Sequence, residues 1–309
     1  MNLTGVLTGI DQTFSGDLGV FARRLDTKET IAYRAAEPNP PASAIKALIL
    51  TEVFRQASEG RFRLTDPNRV VKENVERTYG SGVLRDLTLG LTLSIEDMCV
   101  LMMTLSDNVA TNQMIQLVGL DAINQMAKRL GMKNTWINRP MIHVGEEAQI
   151  PFGQTCALDF GILFEALYRG EVVNPKSSQR MLDIMLSNHF KTDILRYLPP
   201  DLIRPESPAS DPIVRVASKS GTTTGVKCSA GVVYTPHFDY VIALFSRNCT
   251  DRLSVVDEEC ADRPPTVDNE NQVVLPRVSR LIFDTFAFGT WEPGATNAAQ
   301  RTFASPPKG

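Results

Sequence analysis

Between Ser43 and Ser58 the chain carries apolar residues on every side of a helical projection: Ala44, Ile45, Ala47, Leu48, Ile49, Leu50, Val53 and Phe54. A helix without a polar stripe has no face to give to water, so it has to lie inside the molecule. Pro38, Pro40 and Pro41 precede it as an extended lead-in and stop any earlier helix from running through. The helix also carries Ser43 and Lys46 in its first turn. Residues three apart share a face, and a lysine in such a position is buried only when something on that face makes use of it.

The rest of the chain arranges itself around that helix. Leu3, Val6, Leu7 and Ile10 have helical spacing, and a strand at Leu18–Ala22 then turns at Asp26-Thr27-Lys28 into a second strand at Thr30–Tyr33. Helical patterns dominate the middle. Ser94-Ile95-Glu96-Asp97 is a capping box that opens a helix through Leu105, and further helices are expected over Val109–Leu117, from Gly119 to Gly131, over Ala157–Tyr168 and over Lys176–Ser187. Strands return at Ile213–Lys219 and as a hairpin, Ser229–Tyr234 with Tyr240–Ser246. A last helix covers Val273–Phe286, with Pro276 placing its start. The segment from Gly289 to Gly309 has the composition of a loose tail.

Strands at both ends with helices between predict a split α+β domain. Residues 1–43 and 201–288 would form one antiparallel sheet covered by the first and last helices, and residues 44–200 an inserted all-helical lobe.

At 309 residues, 43% hydrophobic and 22% charged, the chain can bury a sizeable core. A net charge of −3 gives no electrostatic reason for a nucleic-acid partner. The five cysteines, Cys99, Cys156, Cys228, Cys249 and Cys260, contain no C-x-x-C pair. They read as free thiols in a reducing compartment rather than as a zinc or redox motif, and no cofactor or metal is expected. The start, Met1-Asn2-Leu3-Thr4-Gly5, is not a signal peptide, and no apolar run reaches the length of a membrane span. As written, the chain reads as cytoplasmic, or as periplasmic or secreted if a leader has been removed.

Three short peptides carry the chemistry: Ser43-Ala44-Ile45-Lys46, Ser106-Asp107-Asn108 and Lys219-Ser220-Gly221. A serine hydroxyl becomes a nucleophile only when a base takes its proton. Lys46, one turn away, can be that base if burial and a second positive charge lower its pKa, and a relay through Ser106 fits equally well. Together and in this order the peptides match S-x-x-K, S-D-N and K-T-G, and from Asp17 to Phe288 the chain resembles the serine β-lactamases and penicillin-binding proteins, class A most closely. The third peptide departs conservatively, with serine for threonine.

The resemblance implies a two-lobe β-lactamase-like fold and a serine hydrolase working through an acyl-enzyme on a small-molecule lactam, amide or ester. It implies Ser43 as nucleophile, Lys46 as general base and Ser106 as proton shuttle. Asn108 would anchor the substrate amide, and Lys219 and Ser220 would recognise a carboxylate. The backbone N–H of Thr222 would join that of Ser43 in an oxyanion hole, and Gly221 would let substrate approach the strand.

Two departures bear on mechanism. Class A enzymes carry a deacylating glutamate two residues after an arginine; here the arginine is Arg139 and Met141 takes the glutamate's place. His143, Glu146 and Glu147 are the possible substitutes nearby, in a loop that closes near Gln154-Thr155. Cys99 stands where half of a common class A disulfide lies, but its partner position is Leu50. Loss of the glutamate predicts slowed deacylation of lactams, so that a penicillin-binding-type trap is the alternative, and a D-Ala carboxypeptidase or esterase a further one.

Overall fold

The computed structural model describes residues 3–141, 146, 151–205, 207, 210–250 and 270–289. Helix α1 (Leu3–Thr13) leads into β1 (Asp17–Arg24) and β2 (Thr30–Tyr33). A 3₁₀ turn (Ala42–Ile45) and α2 (Lys46–Ser58) follow, then α3 (Lys72–Glu76), α4 (Ile95–Thr104), α5 (Asn108–Val118) and α6 (Leu120–Arg129). Short ribbons pair β3 (Pro67–Arg69) with β4 (Thr92–Ser94) and β5 (Trp136–Ile137) with β6 (Gly153–Gln154). Helices α7 (Ala157–Tyr168), α8 (Pro175–Leu186), α9 (Thr192–Leu195) and α10 (Pro200–Ile203) return the chain to β7 (Arg215–Thr223), β8 (Val226–Tyr234) and β9 (Tyr240–Arg247). Helix α11 (Glu270–Phe288) ends the described chain.

The terminal strands meet as expected, in one antiparallel sheet of order β2-β1-β9-β8-β7. Alternation assigns its two faces. Leu18, Val20, Ala22, Val216, Ile242 and Leu244 join a core with α1 and α11. Phe21, Ala217, Ala230, Ala243 and Phe245 join a larger core with α2, α4, α5, α7 and α8. The middle of the chain therefore does more than build a helical layer, because α7 lies directly against β1, β8 and β9. Among the described residues no helix is long and apolar enough to cross a membrane.

Helix α2 is buried on all sides, as its composition requires. Beyond Lys46, its buried polar side chains are all hydrogen-bonded: Thr51 Oγ1 donates to Leu48 O at 2.7 Å, Glu52 accepts from Arg55 and Gln56 at 2.7 Å each, and Gln56 also donates to the carbonyl of Val118 at 2.9 Å. The start of this helix differs from the sequence expectation. Ser43 lies in the 3₁₀ turn, entered through Ala42 at φ +43°, and the α-helix begins only at Lys46. The face relation survives, because side chains three apart eclipse in a 3₁₀ turn.

The strand at 213–219 is shifted and lengthened to Arg215–Thr223, since pairing with β8 carries it through the polar Ser-Gly-Thr-Thr stretch. The last helix starts at Glu270, six residues before Pro276, which sits inside it. The proline leaves the carbonyl of Gln272 without its helical donor, and Arg196 Nη1 supplies one at 3.3 Å. The capping box at Ser94 forms as read, with Ser94 Oγ accepting from the Asp97 N–H at 3.0 Å. The tail beyond residue 289 lies outside the described residues.

Helix α7 approaches the sheet through Gly161, where an added β-carbon would lie 2.1 Å from a ring carbon of the buried Phe21. Gly161→Leu is expected to lower stability by about 1–3 kcal/mol through overpacking, more than better helix propensity returns. Thermal unfolding checks this; an unchanged Tm would show that α7 can lift off the sheet at no cost.

Candidate active site

The 3₁₀ turn carrying Ser43 packs against β7, and Gly221 is what allows it. A β-carbon there would fall 2.4 Å from the Ser43 nitrogen and 2.7 Å from that of Ala44. Only a residue without a side chain admits this approach. Ser43 itself is partly exposed, as are Ser220 and, more fully, Thr222 beyond it on the strand.

Lys46, fully buried on α2, donates to three oxygens. Its Nζ lies 2.6 Å from the Ser106 carbonyl, 3.0 Å from Ser106 Oγ and 2.7 Å from Asn108 Oδ1. Lys219, also fully buried, reaches the same hydroxyl from β7, with Nζ 3.1 Å from Ser106 Oγ and 2.6 Å from its neighbour's carbonyl, Ser220 O. One hydroxyl thus bridges two amines. Neither amine has a carboxylate ion-pair partner among the described residues. Burial pushes Lys46 well below the ordinary lysine range, and the charge of Lys219 pushes it the same way against a weaker pull from Asp107. Burial alone takes Lys219 down to about 7.

Ser106 sits at φ +56°, a left-handed conformation that a non-glycine residue holds only when its surroundings enforce it. The enforcement comes from Asp107 and Asn108. The Asp107 carboxylate caps α5 through the Ala110 N–H at 2.9 Å and accepts from Val83 N at 2.7 Å and Leu84 N at 2.9 Å. Gly82 crosses so close to it that a β-carbon would overlap the carboxylate. Asn108 donates through Nδ2 to Tyr79 O at 2.7 Å, and its N–H donates to Ser81 O at 3.0 Å. Its remaining side-chain oxygen is thereby fixed on Lys46.

The structure brings together Ser106, Lys46, Asn108 and Lys219 by direct hydrogen bonds, and Ser43 with Gly221 by backbone contact. Ser220 and Thr222 follow on the same strand. Met141 is held by Asn112, one turn along α5 from Asn108: Met141 N donates to Asn112 Oδ1 at 2.8 Å and Met141 O accepts from Asn112 Nδ2 at 3.0 Å. Its side chain is buried. Glu146 is exposed, while His143 and Glu147 lie outside the described residues. Cys99 is a buried free thiol facing Met114, with Leu50 fully buried.

Two residues went unnoticed in the sequence. Asp107 stood only as the middle of the Ser106-Asp107-Asn108 motif, with no sign that it caps α5 and anchors Val83 and Leu84, and Asn112 offered only its one-turn spacing from Asn108. A separate cavity of about 310 Å³ lies between α3 and α5 and shares Asn112 with this region, but it is lined by none of the three motifs. Among the described residues no group of three or more His, Cys, Asp or Glu side chains is placed to hold a metal.

Comparison with known proteins gives the family and the fold. The model of the β-lactamase enzyme family matches residues 2–286. A β-lactamase of Streptomyces lavendulae is 26% identical over 238 residues, which cover 75% of this chain and 73% of that protein. The crystal structure of a β-lactamase from Sphaerobacter thermophilus superposes with a TM-score of 0.77 at 26% identity, covering 95% of this chain and 100% of that one. The L158E mutant of PBP-A, in an acyl-enzyme complex with penicillin G, superposes with a TM-score of 0.72 at 26% identity, covering 92% and 97% of the two chains. The chain belongs to the β-lactamase enzyme family and is a serine hydrolase of β-lactamase type.

Proposed function

We propose that Ser43 is acylated by β-lactams and by related amides or esters, and that deacylation limits turnover of lactams. The observation that carries this reading is the pair of buried amines on one serine hydroxyl, Lys46 and Lys219 on Ser106. A lysine without a carboxylate partner in an apolar interior favours its neutral form. Neutral Lys46 takes the proton of Ser43 as the hydroxyl attacks the carbonyl carbon. The oxyanion forms against the N–H groups of Ser43 and Thr222. Ser106 then hands a proton to the departing nitrogen or oxygen and is resupplied by the lysines. Lys219, Ser220 and Thr222 hold the substrate carboxylate, and Asn108 holds the acyl-side amide. Residues 1–43 with 201–288 and residues 44–200 are the two lobes whose cleft holds this chemistry.

Met141 motivates the second half of the proposal. Its backbone is clamped one helical turn from Asn108, and a thioether has no capacity to activate water. The related PBP-A, whose L158E mutant carries penicillin G as an acyl-enzyme, is consistent with a fold that also serves for covalent capture. A penicillin-binding-type protein that acylates and releases slowly is therefore the second reading. Release of a D-Ala peptide or an ester, whose leaving group departs and opens the site to water, is compatible with both.

Ser43→Ala should abolish the covalent adduct seen by intact-mass spectrometry after mixing with penicillin, and lower ester turnover by at least about 10³-fold. Retained activity would move the nucleophile elsewhere. Met141→Glu should shorten the lifetime of the penicillin adduct by about 10²- to 10⁴-fold, the range of a positioned general base. An unchanged lifetime would show that position 141 is not where water is activated.

The pH profile follows from the two lysines. Acylation needs Lys46 neutral, so it rises with pH through the lowered pKa of that amine. It needs Lys219 charged for the substrate carboxylate, so it falls as pH climbs past a value near or, with substrate bound, above 7. In Lys219→Arg the guanidinium does not titrate, and the alkaline limb of the acylation rate should move up by at least about one pH unit. A limb that stays in place would assign it to another group.

A further inference from the structure

Phe190 is 48% exposed and stacks on no other ring among the described residues. A lone exposed phenylalanine needs no explanation in general. Here, however, the backbone that carries it is fastened on every side. The segment 188–193 joins α8 to α9 and touches β7, the edge strand of the sheet, through Asn188. Asn188, 3% exposed, donates through Nδ2 to Ser218 O at 2.9 Å, next to Lys219. Its Oδ1 accepts the N–H of Phe190 itself at 3.0 Å. The N–H of His189 reaches Thr104 O at 3.3 Å, two residues before Ser106. At the far end Asp193 and Lys227 form a buried ion pair at 3.1 Å that ties α9 to β8.

These fastenings fix the backbone that carries the exposed ring. Consecutive α-carbons are about 3.8 Å apart, so Phe190 lies one residue from a contact with the segment carrying Ser106 and two residues from Asn188, which holds the strand at Lys219. It is on the Ser106 and Lys219 side of the cleft, while Asn108 is bound to the Tyr79–Ser81 segment. In the proposed reaction Ser106 protonates the leaving atom, so the leaving half of the substrate lies on the side of Phe190.

We propose that Phe190 is a specificity-determining residue that selects substrates with an apolar, preferably aromatic, substituent on the leaving half beside its carboxylate. The segment is already ordered by its hydrogen bonds, so contact with the ring incurs little further loss of backbone freedom. The gain is the apolar area removed from water when the substituent covers the ring. This inference rests on the acyl-enzyme reading above.

Two esters test it. Both have the same phenylacetylglycyl acyl half; one has lactate and the other phenyllactate as leaving group. Attack by Ser43 forms the acyl-serine and releases the hydroxy acid, so the adduct mass is identical and only the leaving half varies. The wild-type protein should prefer the phenyllactate ester in acylation kcat/KM, chiefly through KM. Phe190→Ala should reduce that preference about 10-fold, leaving the lactate ester within about 2-fold, and Phe190→Leu should restore part of it. An unchanged ratio in Phe190→Ala, or an equal fall for both esters with an unaltered Tm, overturns the proposal while leaving the acyl-enzyme intact. If neither ester forms an adduct with the wild-type protein, the acyl-enzyme reading itself falls.

Discussion

The site depends on an electrostatic imbalance inside the protein: two lysine amines meet at the hydroxyl of Ser106, and no described carboxylate neutralises either of them. In most interiors such a pair would be too costly to keep, because burying one charge without a partner already costs several kcal/mol. The molecule avoids that cost by letting the amines be bases. Burial lowers both, and the charge of Lys219 lowers Lys46 further. The oxygens around Lys46 are uncharged (a carbonyl, a hydroxyl and an amide), so the ammonium can donate to all three, while the neutral amine can donate to the carbonyl and the amide and turn its lone pair to the hydroxyl. A lysine that can give up and regain a proton near neutral pH follows from this arrangement.

Everything around the amines serves to hold that imbalance in place. The apolar helix α2 excludes water from Lys46. The capped start of α5 and the strained backbone at Ser106 aim one hydroxyl at both amines. Gly221 lets β7 come close enough for Lys219 to reach the hydroxyl while its backbone touches the turn that bears Ser43. The sheet order matters for the same reason. Because β7 is the edge strand, its outer side is not paired with another strand, and Asn188 can bond to its Ser218 carbonyl.

Much of this was legible in the sequence because it is carried by local signals. The three motifs name the residues that meet, the all-round apolar run places Lys46 inside, and alternation at the two ends of the chain predicts the shared sheet. What escaped depends on partners distant in the sequence. Pro276 looked like a helix start because the carbonyl it deprives is served by Arg196, 76 positions away from Gln272. The Asp107 carboxylate carried no signal beyond its place in the motif, because two of its donors are 23 and 24 positions upstream. The clamp between Asn112 and Met141 spans 29 positions, and ribbons of two or three residues such as β5 and β3 are too short to show alternation. The 3₁₀ turn at Ser43 is set by the backbone of Ala42 and the approach of β7, neither of which has a sequence pattern of its own.

The most direct test is to follow the lysine side chains themselves through a pH titration of the unliganded protein, using ¹³C label at Cε and assignment by Lys46→Met and Lys219→Met. The account predicts two resonances that titrate well below the rest, one of them near 7 and assigned to Lys219, with the other shifting further up when Lys219 is removed. If both resonances titrate with the surface lysines near 10.4, the amines are charged at neutral pH and neither is the base that activates Ser43.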